Sequence, residues 1–134
     1  MNLIFLVLAV SAQATPPSAA GSYEAVTESE SSIELMLESS GSAEFEFRVW
    51  EAGHFGESDV RSLRGAWSQV DGNVIIRLPS GEFASYTLVP CLSHEEFGAP
   101  GCSPGLKLIE TSLPEHYGLQ RFGLWRNDGL PVQP

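Results

Sequence analysis

Cys91, His94 and Cys102 are the residues of this chain best typed for metal or redox chemistry. As two thiolates and an imidazole they make an incomplete tetrahedral site, because a structural zinc wants a fourth donor and none stands at a convincing spacing. As a disulfide, Cys91 and Cys102 would close the segment from Leu92 to Gly101, which is rich in Gly, Pro and Glu, and would stabilise the fold by roughly 2–3 kcal/mol. The bridge is the favoured reading; free thiols and a Cys91–His94–Cys102 metal site are the alternatives. No cofactor is expected.

Ser93, His94 and Glu95 also supply the residue types of a nucleophile, a base and an orienting acid. Neighbours in sequence rarely meet in triad geometry, and no nucleophile-elbow glycines flank the serine. His54, in Glu51-Ala52-Gly53-His54-Phe55-Gly56, and His116, before Tyr117, read as exposed loop residues like His94. There is no phosphate-cradling glycine loop or dinucleotide fingerprint. The expectation is a protein that is not an enzyme.

Charge is the remaining chemistry. The net charge is −10, and between Glu24 and Asp59 every charged residue except Arg48 is acidic. From Val60 onward acids and bases nearly balance. Such a distribution disfavours nucleic acid, whose phosphates need clustered Lys and Arg. Calcium wants about six or more oxygens in a loop-like cage, and no aspartate-rich calcium loop is present. A basic protein is the partner best matched to the acids, against the plainer reading of a solvated face that keeps the protein soluble.

Positioning these acids is a matter of hairpin register. Ile33, Leu35 and Leu37 alternate with Glu34, Met36 and Glu38; Phe45, Phe47 and Val49 alternate with Glu44, Glu46 and Arg48. Period two is the half-buried strand signal. Ser39-Ser40-Gly41 fits a three-residue turn with a left-handed third residue, which pairs Leu35 with Phe45 and Ile33 with Phe47. It also sets Glu34 opposite Glu46, with Glu38 and Glu44 nearby on that face. A one-residue slip would mix polar and apolar faces.

Two further turns extend the pattern. Asp71-Gly72 carries a type I′ signature, and Pro79-Ser80-Gly81 suits a type I turn with proline first. Together they put Trp67, Val74, Ile76, Ala84 and Tyr86 on one face. Leu106–Glu110 reads as a short strand and Leu119–Arg126 as the last one. A single helical turn is expected at most, at Asp59–Leu63 or Tyr117-Gly118. The fold class is therefore all-β: an antiparallel up-and-down meander closing into a small barrel of about seven or eight strands. The echo Gly21-Ser22-Tyr23, Gly65-Ala66-Trp67 and Gly123-Leu124-Trp125 reads as glycine at a close backbone approach followed by a barrel-closing aromatic, with a ligand platform as the rival reading.

Residues 1–14 read as a signal peptide: Leu3–Val10 is an unbroken apolar run, too short to span a bilayer, and Ala12-Gln13-Ala14 gives the small-x-small cleavage pattern. The n-region lacks Lys and Arg. Residues 15–20 are a disordered lead-in, 21–127 the barrel domain and 128–134 a loose tail. The expected location is periplasmic or secreted, which permits the disulfide.

Gly-x-Tyr, Ile-x-Leu-x-Leu, Ser-Gly, Phe-x-Phe, Gly-x-Trp and Val-Ile-x-x-Leu, spread over Gly21 to Val89, resemble small exported calycin-like β-barrels of bacteria, among them the N-terminal domain of the copper-resistance outer-membrane lipoproteins and some periplasmic inhibitor barrels. The resemblance implies a barrel and an envelope setting. This chain has neither a cysteine at the cleavage point nor a Cys-x-x-Cys in its first strand region, so that family's anchoring and metal transfer do not carry over. The function expected is a non-enzymatic envelope or secreted binding protein, recognising a basic protein or a small ligand through the acidic hairpin or a barrel mouth. The alternatives are an inhibitor of a basic secreted enzyme such as a lysozyme or protease, and a structural or envelope-stress accessory.

Overall fold

The computed structural model describes residues 18–26, 31–50, 58–94, 98–114, 119 and 123–127. The signal peptide over 1–14, most of the lead-in, the 51–57 loop with His54, Glu95, His116, Tyr117-Gly118 and the 128–134 tail lie outside them.

Eight strands follow one another: β1 (Gly21–Val26), β2 (Ser31–Leu37), β3 (Ser42–Trp50), β4 (Ser58–Val70), β5 (Asn73–Arg77), β6 (Phe83–Ser93), β7 (Cys102–Thr111) and β8 (Leu124–Arg126). Each pairs antiparallel with its neighbour, and β8 returns to β1, so the meander is a closed barrel. Closure removes the unpaired edge that an open sheet would expose.

The turns set the registers as their sequences require. At Ser39–Gly41 the Glu38 amide donates to the Ser42 carbonyl and the Gly41 amide to the Glu38 carbonyl, with Gly41 at φ +100°. Leu78, Gly81 and Glu82 repeat that pattern. Leu35 therefore faces Phe45 and Ile33 faces Phe47; Trp67 faces Ile76, and Val74 faces Tyr86. The Asp71-Gly72 turn keeps its register but not its expected type. A type I′ turn needs both central residues left-handed, whereas here Asp71 is at φ 58° and Gly72 is not in that region.

Three other expectations are corrected. Asp59–Leu63 is not a helical turn; it is part of the thirteen-residue β4, each residue paired with β3. The unpaired edge of β3 outweighs a local pattern that is too polar to announce a strand. The last strand is shorter than expected, because Leu119 lies in a turn and pairing begins at Leu124. Conversely, β7 is longer than the Leu106–Glu110 segment. It holds Pro104 against the Pro90-Cys91 step of β6, where the ladder slips between Val89 and Leu92, as prolines without an N–H require.

The interior is filled. Tyr23, Leu35, Phe45, Ile76, Tyr86 and Leu106 are among its fully buried side chains, and Phe45 stacks on Phe47 at 5.4 Å. Meander topology puts the β2–β3, β4–β5 and β6–β7 connections at the same end of the barrel as the segment leading into β1. There residues 18–20 cross as a strap: the fully buried Ala19 donates its amide to Gln69 Oε1 at 2.8 Å. The three Gly-x-aromatic echoes tie this end together. Tyr23 Oη donates to the Ala19 carbonyl at 2.8 Å, Trp67 Nε1 to Glu38 at 2.7 Å and Trp125 Nε1 to Leu92 at 3.0 Å. No helix among the described residues is long and apolar enough to cross a membrane.

Candidate functional site

The outward-facing residues of β1, β2 and β3 form an acidic strip. Glu34 pairs directly with Glu46 on one side, as the turn dictates, and with Glu24 on the other. Three carboxylates thus stand in one row across three strands. Like charges directly opposed on a sheet destabilise it by some tenths of a kcal/mol each. One residue pair along, the row runs Ser22, Met36, Glu44 and Arg64. Glu38 sits just past β2 and lines, with Met36, Ser42, Ala43, Glu44, Arg64 and Gly65, a shallow groove of about 210 Å³.

The register brings Glu34 and Glu46 together and places Glu38 and Glu44 on a shared groove. Glu24 was missed, since the β1–β2 register has no readable turn; its signal was the outward parity of Glu24 beside inward Tyr23. Two partial neutralisations were also missed. Arg64 Nε bonds to Glu44 Oε2, and Arg48 bonds to Glu46 Oε1 at 2.7 Å. Both pairs are exposed enough that each contributes less than about 1 kcal/mol. Glu24, Glu34 and Glu38 have no ion pair among the described residues. Five carboxylates against two guanidiniums leave the strip with a formal charge of −3.

Cys91 and Cys102 form the disulfide, with Cα atoms 5.0 Å apart, within the usual span. With the sulfurs bridged, Cys91 and Cys102 are not thiolate donors for the Cys91–His94–Cys102 metal alternative. His94 instead lays its ring 5.8 Å from that of Trp125, and its amide donates to the Gly101 carbonyl. Ser93 is exposed at the end of β6.

Inside the barrel, Tyr86 has a displaced ionisation. Desolvation pushes its phenol pKa far above the ordinary value of 10.0. The folded state holds the proton more tightly than the unfolded one, so the stabilisation is complete below about pH 10 and is lost as pH rises beyond it, by up to about 1.4 kcal/mol per pH unit. In an alkaline titration, Tyr86 should ionise only as the strand signal collapses. Tyr86→Phe should shift the alkaline unfolding midpoint upward; tyrosinate absorbance and circular dichroism recorded on the same samples check this.

No protein-family description matches the chain, and neither a curated protein nor a solved structure matches it.

Proposed function

We propose that this chain is a non-enzymatic, exported binding protein of the bacterial envelope, a calycin-like barrel that captures a basic protein on the acidic strip of β1, β2 and β3. The observation that carries this reading is the Glu24–Glu34–Glu46 row, an arrangement that costs the isolated fold stability and that a cationic surface would relieve. The filled interior favours recognition on the outside over a ligand held in the barrel mouth. The groove beside Glu38 and Glu44 offers apolar floor from Met36 and Ala43, suited to the aliphatic stem of a lysine or arginine whose head reaches the carboxylates. The disulfide accords with an oxidising compartment.

The test is capture from envelope extract by the immobilised protein and by its Glu34→Lys/Glu46→Lys variant, at low and high salt, with identification by mass spectrometry. Basic proteins should be retained by the native chain at low salt, released at high salt, and retained about tenfold less by the variant. Identical capture by both proteins, with the variant merely melting at a higher temperature, would mean that the strip serves solubility alone. A captured enzyme whose activity falls on binding would place the protein among inhibitors.

A further inference from the structure

Four aromatic side chains that carry a polar hydrogen belong to the buried core or pack against it: Tyr23, Trp67, Tyr86 and Trp125. Three of them donate to a backbone carbonyl, of Ala19, Glu38 and Leu92 respectively. Tyr86 does not. Its ring is fully buried, and its hydroxyl is the one buried side-chain polar atom without a hydrogen-bond partner among the described residues. Its cross-strand neighbours, Val74 and Leu108, have no side chain able to pair with it.

An orphaned buried hydroxyl loses about 1–3 kcal/mol of hydration with no return. Native proteins leave few such groups, and an enclosed water or other small molecule is the usual partner. The β7 backbone opposite Tyr86 is irregular as well. The β6–β7 ladder shifts between Ser85 and Tyr86: Ser85 pairs with Glu110 and Tyr86 with Leu108, so Ile109 is the extra residue of a bulge. Bulges re-aim the side chains beside them and interrupt the ladder locally. The extra residue belongs to β7, and Tyr86 keeps the inward alternation of Ala84 and Leu88, so its ring fills the wall while its hydroxyl meets no protein acceptor. Phenylalanine would fill the same wall with no orphaned atom.

We infer that the barrel interior encloses one small neutral hydrogen-bond acceptor on the Tyr86 hydroxyl, of the size of a water molecule. Neutrality follows from the surroundings, since no charged side chain is buried among the described residues to balance an ion. Small size follows from the packing of Leu35, Phe45, Ile76 and Leu106. The raised phenol pKa keeps Tyr86 a donor at any pH at which the barrel is folded. The occupant is held by the interior and owes nothing to the acidic strip, so it stands or falls independently of the proposed function.

The test pairs a high-resolution crystal structure of the purified protein with the melting temperature of Tyr86→Phe. An isolated density peak within about 2.6–3.0 Å of Tyr86 Oη is expected. Removing the donor leaves the occupant short of a bond, so the variant should melt about 3–6 °C lower. Native mass spectrometry separates the two sources: an unshifted mass identifies exchangeable water, and a fixed excess lost on unfolding identifies a co-purified organic acceptor. A dry hydroxyl, with Tyr86→Phe as stable as the native protein or more so, overturns the inference. Tyr23→Phe, which removes a bond seen in the structure, gives the scale against which the Tyr86 shift is read.

Discussion

Gly65→Ala is expected to lower stability by about 3 kcal/mol or more, enough to depress the melting temperature by about 10 °C or more. A β-carbon on Gly65 would penetrate the Arg77 carbonyl oxygen and lie 3.0 Å from Leu78 Cδ2. The first obstacle is backbone and cannot rotate away. Gly65 also sits where β4 changes partners: Gly65 pairs with Ala43 of β3, and the next residue, Ala66, pairs with both Ser42 of β3 and Arg77 of β5. That is a barrel corner, where a strand bends and its neighbour's backbone comes close. Alanine must therefore push β5 away from β4 and with it Ile76, a fully buried core residue. Gly41→Ala is the contrast. A β-carbon there meets nothing within 4 Å, so the loss comes from the φ of +100° alone and should be about 1 kcal/mol. Thermal and denaturant unfolding of the two variants should rank Gly65→Ala well below Gly41→Ala. The reverse order would mean that β4 and β5 are not in contact at this corner.

The same corner shows how far the chain's own text reaches. Gly65 was legible as a close approach because an aromatic follows it by two, and Gly123 repeats this with Leu106 O 2.9 Å from its would-be β-carbon. The β2–β3, β4–β5 and β5–β6 registers were legible because a short turn and an alternating apolar face specify the pairing twice over. Where one of those signals is missing, the reading failed. β1 joins β2 through a polar connection without turn chemistry, so Glu24 could not be set beside Glu34. The first half of β4, Asp-Val-Arg-Ser-Leu-Arg, has no clean alternation and becomes a strand by pairing with β3. Arg64 came to Glu44 by that route, from a position twenty residues away. In the acidic strip, local rules placed Glu34 opposite Glu46, while the cations that temper the strip came partly from a strand positioned by tertiary contacts.

Replacing both cysteines, as Cys91→Ser with Cys102→Ser, is expected to cost about 3 kcal/mol, and reduction of the native protein should cost the same. Chain entropy accounts for that size: the bridge spans a separation of 11 residues, and loops of this length are worth about 3 kcal/mol in the unfolded ensemble. Location makes the consequence larger than for a bridge in a long hairpin. Leu92 follows Cys91, and its carbonyl accepts from Trp125 Nε1, while its Cδ2 is 2.9 Å from the site a β-carbon on Gly105 would occupy and 2.8 Å from that on Gly123. The end of β6 therefore packs across the seam between β7 and β8. Among the described residues that seam is the thinnest part of the barrel, with two residue pairs joining β8 to β7 and two joining it to β1. Arg126 reinforces it by donating to the Ala20 carbonyl at 2.7 Å and lying 5.5 Å over the Tyr23 ring. Loss of the bridge should thus appear first at β8 and the strap over residues 18–20, as faster amide exchange at Trp125, Arg126 and Ala19, before β2, β3 and β5 respond. Uniform acceleration across all strands would show that the disulfide acts only through the unfolded chain; no change in stability at all would mean that the β6–β7 connection is already held by its backbone.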